Sequence, residues 1–407
     1  MILKNIESIL QSVISQDEII EFIKKVVAIP SYSGLKNQET NVAKAFYDLF
    51  KSEGIHAELE HVVDGRYNVI GRLKGKQKGK NLLLTGHTDT VPPYDMEDAL
   101  NLKVKGNKLI GRGAVDMKGP LACMAFSLIA LKRAKVELNG DLVFAGVIDE
   151  EEGSAGTISL IESNWKVDAA IVGEPTDFHI NVAHKGLEWF ELFFQGKTVH
   201  GGSQKDGINA IDMAARFMQR VNEKLLPEIE REVFKIEGTD EVIYSSMNYG
   251  TIKGGTQPST VAGECTVTLD RRWVPGITYK EVVKGYQDVI DELSKEDEKF
   301  KCTLKVMEPS VMKEGYVHEA LSTNINESIV SITRKVTEEI IKKKPEYTYF
   351  KAWTDGGLIS RYMDIPTIVF APGHIKTAHS AEEEFEIDQI LPATLIYASI
   401  AAEFCNQ

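Results

Sequence analysis

The residues best suited to chemistry fall in five short segments. They are His87-Thr-Asp89, Gly111-Arg-Gly-Ala-Val-Asp116, Asp149-Glu-Glu-Glu-Gly153, Glu174-Pro-Thr176 and Ala371-Pro-Gly-His-Ile-Lys-Thr-Ala-His379. Imidazoles and carboxylates with no cysteine among them suit zinc, cobalt or manganese, not an iron–sulfur cluster or a structural zinc site. A carboxylate shared by two such cations holds them ~3.5–4 Å apart, and metal pairs of that kind hydrolyse amides and phosphates.

Each segment also has a plainer reading. The period-two spacing of His87 and Asp89 puts both side chains on one side of an extended backbone. Asp89 then either orients the His87 ring for metal or belongs to a satisfied polar loop. Asp149–Glu152 alone reads as a solvated acidic run. Asp116 alone reads as the cap of a helix starting near Pro120. Glu174 before a proline reads as turn chemistry, and His379 alone as a core or surface histidine. Shared placement tips the balance, because five independent turns have no structural reason to carry the same ligand types.

That placement follows from the predicted elements. Buried strands are expected at Asn81–Gly86, Asp141–Ile148, Asp168–Gly173 and Pro366–Phe370, and a further strand-like stretch runs into Gly111. Helices are expected from Pro120, at the first helical position, to Leu131, over Thr157–Asn164 and over Ala320–Ile341. Strands alternating with helices predict an α/β layer with a mostly parallel sheet, whose sites lie beyond the strand C-termini. The basic run Arg72–Lys80, with two glycines between strand-like stretches, reads as a solvated hairpin turn and not an anion patch.

A different rhythm interrupts this layer. Leu187–Gly196 reads as strand, Asn209–Leu226 as helix, Ser246–Gly255 and Thr260–Arg272 as strands, Tyr279–Leu293 as helix and Lys301–Met307 as strand. The order βαββαβ predicts an α+β domain over 187–312, inserted into a discontinuous one made of 1–186 and 313–407.

Composition excludes several classes. The 407 residues are 43% apolar and 26% charged, with 32 Gly and 13 Pro, which is ordinary for a globular chain and not for a disordered or collagenous one. The formal charge of −13 disfavours binding to nucleic-acid backbones or anionic membranes. The four cysteines form no CxxC pair, so a reducing, cytoplasmic setting is expected. The start, Met1 to Glu7, mixes charge and apolar residues without a signal-peptide core. The longest apolar stretch, Leu121–Leu131, falls far short of a ~20-residue span. The Gly111-x-Gly113 pair lacks a third glycine for a dinucleotide fingerprint, and neither a phosphate-cradling loop nor a Gly-x-Ser-x-Gly elbow is present.

Taken in order, Thr85-Gly-His-Thr-Asp-Thr-Val-Pro-Pro93, Gly111-Arg-Gly-Ala-Val-Asp-Met-Lys-Gly119, Asp149–Gly153, Gly173-Glu-Pro-Thr176 and Ala378-His379 resemble a known family. It is the di-zinc deacylase and exopeptidase family of acetylornithine deacetylase, succinyl-diaminopimelate desuccinylase, aminoacylase and glutamate carboxypeptidase. Ile29-Pro-Ser31, Thr198-Val-His200 and Gly207-Ile-Asn-Ala210 are weaker echoes of it.

The resemblance implies a zinc-exopeptidase-like sheet flanked by helices, with the inserted domain serving as lid and dimer interface. It implies two zinc ions, replaceable by cobalt or manganese. Asp116 would be shared between them, His87 and Glu174 would complete one site, and Glu151 and His379 the other. Glu150 would be the general base, with Asp89 beside His87, and the peptide after Asp116 would be cis. From the lid of a neighbouring subunit His200 would stabilise the oxyanion, while Arg272 and Asn248 would contact substrate. The expected reaction is hydrolysis of an N-acyl amino acid, with cleavage of a dipeptide or a C-terminal residue as the alternative and a non-catalytic metal- or amino-acid-binding relative as the remaining one. Gly357 stands where several deacylases of the family carry an arginine, and Glu174 where several aminopeptidases carry an aspartate.

Overall fold

The computed structural model describes residues 2–407, so Met1, the first residue of the N-terminal stretch read above, lies outside the described residues. The fold divides into two compact units. One comprises the chain up to Ala183 with Ile236–Thr239 and Leu321–Gln407; the other comprises His184–Lys235 and Asp240–Ala320.

The first unit is built on a mixed sheet. Along it run His56–Val63, Arg66–Leu73, Leu142–Val147, Leu82–His87, Ala169–Val172, Thr367–Val369, Ile180–His184 and Leu321–Ser322, and Tyr347–Phe350 pairs with Ile180–His184. The middle four, Leu142–Val147, Leu82–His87, Ala169–Val172 and Thr367–Val369, are mutually parallel. The strands Leu82–His87, Leu142–Val147 and Ala169–Val172 are buried along their whole length, as expected where helices cover both faces. Lys118–Arg133, buried continuously from Lys118 to Leu131, and Ile390–Phe404 are apolar nearly all round, the mark of helices packed inside. On the sheet, Leu83, Val143, Ala145, Val172 and Val369 form a continuous core with Ile359.

Three details differ from the sequence reading. The basic run is not a hairpin, because Leu142–Val147 lies between Arg66–Leu73 and Leu82–His87 and pairs with both. The run instead crosses the end of that strand, where Lys76 and Gln77 donate backbone bonds to Leu138 and Asn139 and Arg72 pairs with Asp141. The helix expected from Ala320 begins at Ser328, because Leu321–Ser322 joins the sheet, Thr323 bonds the Val182 carbonyl and Asn324 caps a turn at Asn326. Pro120 is the third helical residue and not the first; its missing N–H still falls among the unpaired amides of the first turn.

The second unit is an antiparallel sheet in the order Ser246–Gly254, Glu264–Trp273, Gly186–Gln195, Cys302–Val306. Its buried face, with Phe190, Leu192, Phe194, Val267 and Leu269, packs with Phe217 of helix Ala210–Arg220 and Tyr286 of helix Tyr279–Glu296. Among the described residues no helix is long and apolar enough to cross a membrane.

One acidic residue sits on that apolar face. Glu188 is 2% exposed, and burial pushes its carboxyl up to about 7 against the opposing bonds from the Ser310 hydroxyl and the Trp189 N–H. A raised acid stabilises the fold fully below its unfolded value of about 4.5, and that stability is lost as pH rises through about 7. Glu188→Gln, uncharged at every pH, is therefore expected to stabilise the protein by about 3 kcal/mol at pH 8, with the gain shrinking to near zero by pH 4.5. Thermal unfolding at the two pH values measures this, and a pH-independent difference would show that Glu188 does not titrate on folding.

Candidate metal centre

The parallel strands place their C-terminal ends along one edge. His87 ends Leu82–His87, Glu150 and Glu151 lie in the turn after Leu142–Val147, Glu174 follows Ala169–Val172, and His379 lies in the loop after Thr367–Val369. Asp116 arrives from a separate loop, and the peptide joining it to Met117 is cis. Two glycines admit this loop. A Cβ on Gly86 would lie 2.0 Å from the Met117 methyl, and one on Gly173 would lie 2.7 Å from it. The glycine preceding each of two ligand candidates on neighbouring strands thus lets the residue after Asp116 pack against the sheet.

Asp116 sits between the two histidines. Its Oδ1 is 3.1 Å from His87 Nε2 and its Oδ2 is 3.0 Å from His379 Nε2. His379 Nε2 is also 3.1 Å from Glu151 Oε1, and His87 Nε2 is 3.6 Å from Glu174 Oε1. The capping role is excluded: helix Lys118–Arg133 has no side-chain cap, and Asp116 turns instead to the imidazoles. His87 Nδ1 lies 3.0 Å from the Asp89 backbone carbonyl and 3.5 Å from its carboxylate. A proton donated there leaves Nε2 with the lone pair that a metal needs. The Asp89 carboxylate accepts the Glu151 N–H at 3.0 Å, so this residue holds two segments of the centre.

The residues fit divalent cations. Ligand atoms of His87, Asp116 and Glu151 lie within 4.8 Å of one another, as do those of His87, Glu150 and Glu174. The second group brings Glu150, expected as a base, within ligand range. Glu174 Oε1 is buried with no hydrogen-bond partner, a costly state for a carboxylate oxygen that a cation relieves. Charge balance points the same way. Burial and the surrounding carboxylates push Glu150 and Glu174 well above the usual range, with His87 opposing. Burial disfavours a charged His87, but the Glu174 charge, the bond to Asp116 and the nearby Asp89 carboxylate outweigh it and raise it. Bonds to Asp116 and Glu151 raise His379 to about 10. Burial would raise Asp116, but the two histidines hold it well below the usual range. Without metal the cluster gathers protons; cations compete for the same sites.

Several supporting residues had no assigned role in the sequence reading. Arg66 donates to both oxygens of buried Glu39 and to Asp149 Oδ1, anchoring the turn that carries Glu150 and Glu151. Lys118 Nζ donates to the Ile29 carbonyl, and burial pulls this amine down to about 7. Asp355, from Trp353-Thr-Asp-Gly-Gly357, accepts from Thr157 at 2.6 Å. Arg112 and Glu383 form a fully buried ion pair. Arg112, Lys118 and Asp149 fall within the segments singled out in the sequence, whereas Glu39, Arg66 and Glu383 carry no signal there.

Three expected residues lie in the second unit, outside this cluster. His200 is exposed and its Nδ1 accepts from the Gly202 N–H at 3.1 Å. Asn248 is exposed and pairs across the sheet with Asp270. Arg272 donates to Asp270 at 2.7 and 3.1 Å, so a substrate carboxylate would have to share it.

The sequence profile of peptidase family M20/M25/M40 matches residues 83–403. The chain is 25% identical over 413 residues to N-formyl-4-amino-5-aminomethyl-2-methylpyrimidine deformylase of Bacillus subtilis (strain 168), covering 96% of each. It is 29% identical over 401 residues to acetylornithine deacetylase of Pectobacterium carotovorum subsp. carotovorum (strain PC1), covering 95% of this chain and 98% of that one. Among solved structures, an M20 family metallo-carboxypeptidase from Sulfolobus solfataricus shares the fold with a TM-score of 0.78 at 18% identity, over 95% of this chain and 99% of that one. A dinuclear metal-binding M20 peptidase from Bacillus subtilis does so with a TM-score of 0.70 at 15% identity, over 95% and 98%.

Proposed function

This chain belongs to peptidase family M20/M25/M40, a family of metal-dependent hydrolases of amide and peptide bonds, and from that premise we propose that it removes the acyl group from an N-acylated amine, in the first place an N-acyl amino acid. The observation that carries the reading is Asp116 held between His87 and His379, with Glu150, Glu151 and Glu174 around them. The deacylase reading is preferred to the peptidase one because both curated relatives described above, a deformylase and a deacetylase, align over almost the whole chain.

In this proposal His87, Asp116 and Glu174 would hold one zinc ion, and Asp116, Glu151 and His379 the other. Bound there, two such cations would supply Lewis-acid polarisation and bring the pKa of water from 15.7 towards ~7. Asp89 keeps His87 in the tautomer whose Nε2 faces the centre. Glu150 takes the proton of the attacking water and returns it to the nitrogen of the leaving amine, so that one buried carboxyl serves as base and then acid.

The second unit acts as a lid and as the contact between two copies of the chain. From a neighbouring subunit His200 would supply a donor to the carbonyl oxygen as it gains charge, while Asn248 and Arg272 would meet the substrate. The four cysteines, all free thiols, accord with a reducing, cytoplasmic setting.

A mass-spectrometric screen tests the substrate class. Zinc- or cobalt-loaded protein is given N-acetyl, N-succinyl and N-formyl amino acids, N-formyl amines and dipeptides. Selective loss of one N-acyl class is expected. Cleavage of dipeptides alone would replace the proposal with the peptidase reading, and tight binding without turnover would replace it with the binding-protein reading.

A further inference from the structure

A buried ion pair underlies the Asp116 loop and has no part in the chemistry above. Glu383 is 0% exposed and Arg112 is 1% exposed. Glu383 Oε1 accepts two backbone N–H bonds, from Val115 at 3.1 Å and from Asp116 itself at 3.2 Å. Its Oε2 accepts from Arg112 Nη1 at 2.5 Å. The same guanidinium reaches the other way, with Nε donating to the Pro92 carbonyl at 3.2 Å and Nη2 lying 3.4 Å from the Pro93 carbonyl. The Glu383 backbone carbonyl takes the Gly111 N–H at 3.3 Å, closing the loop from its other end.

These bonds join three segments that carry candidate ligands. Pro92 and Pro93 follow His87 and Asp89, Gly111–Asp116 carries the shared carboxylate, and Glu383 lies four residues beyond His379. A buried carboxylate and guanidinium are costly to bring out of water, and such a pair is retained where its geometry is needed. Here the geometry is fixed directly on the backbone amide of Asp116.

We propose that Glu383 is a positioning residue for the metal centre, setting the place of the Asp116 backbone through its two N–H bonds and tying that loop, through Arg112, to the segment after Asp89. The inference rests on Asp116 being a ligand shared by both metals. It differs from simple core stabilisation in its consequence. Displacing Asp116 by a fraction of an ångström weakens its hold on both cations, whereas a stability defect alone lowers the unfolding midpoint and leaves the affinity of the folded protein unchanged.

Glu383→Gln keeps the size of the side chain but replaces one oxygen by an NH₂ group, which opposes either the two N–H donors or Arg112. Its affinity for Zn²⁺, read by competition with a chromogenic chelator, is expected to fall roughly 10–100-fold, the range seen when partners of metal ligands are removed. Arg112→Lys keeps the charge but not the reach to both proline carbonyls, and is expected near the lower end of that range. Circular dichroism at the temperature of the titration confirms that the folded form is measured. Wild-type affinity in both folded variants, with only a lowered unfolding midpoint, would overturn the proposal. If Glu383→Gln fails to fold, Arg112→Lys decides on the same readout, and native affinity there overturns it. Wild-type protein that binds no Zn²⁺ would overturn the shared-ligand assignment as well, so the two failures are told apart.

Discussion

Glu150→Gln is expected to lower kcat by roughly 10²–10⁴-fold, the contribution of a positioned proton-transfer group, while the protein keeps its full metal content. Glutamine matches the carboxyl in shape but can neither accept the proton of water nor deliver one to the leaving nitrogen. The sharpness of the test comes from the geometry, since Glu150 lies within ligand range of His87 and Glu174. If it is a base, metal analysis of the variant matches wild type and only the rate falls. If one metal equivalent disappears with the activity, Glu150 belongs to the ligand set and another group must carry the proton.

Asp116→Ala has the larger structural consequence. Among the described residues, Asp116 is the one carboxylate in bonding distance of both His87 and His379. Its removal leaves the two halves of the centre with no shared ligand and takes one negative charge from the cluster that attracts the cations. Metal content is expected to fall from two equivalents to one or fewer, with hydrolysis below detection. A variant that retains two tightly bound ions would show that the halves are independent and that Asp116 is not shared.

The candidate ligands were legible because each closes a buried strand or its following turn, and buried strands announce themselves as short apolar runs. His87, Glu150, Glu151 and Glu174 follow from three such runs read in order. Asp116 was legible only as a member of the set, since alone it resembled a helix cap, and its partners, His87 and His379, lie 29 and 263 positions away along the chain. The supports were not legible for the same reason. Glu383 reaches Asp116 across a sequence separation of 267, and Arg66 joins Glu39 to Asp149 across separations of 27 and 83. The misread hairpin has the mirror-image cause. Two strands adjacent in sequence suggested pairing, but the apolar strand Leu142–Val147 inserts between them, placing its burial above the short connection.

The same contrast holds between the units. The alternation of Phe190, Leu192 and Phe194 fixes the inward face of the second sheet, and Glu188 breaks that pattern visibly. Arg272 pairs with Asp270 two positions away on its own strand, a contact that period-two spacing permits without requiring.

The central claim is that a pair of metal ions, held jointly through Asp116, performs amide hydrolysis. The most direct test is a metal titration of the chelator-stripped protein, with bound Zn²⁺ and hydrolysis of the best N-acyl substrate followed together. The account predicts two equivalents bound per chain, no turnover without metal, and a rate that reaches its plateau only as the second site fills. Full turnover by the stripped protein, or saturation of both binding and rate at a single equivalent, would contradict it.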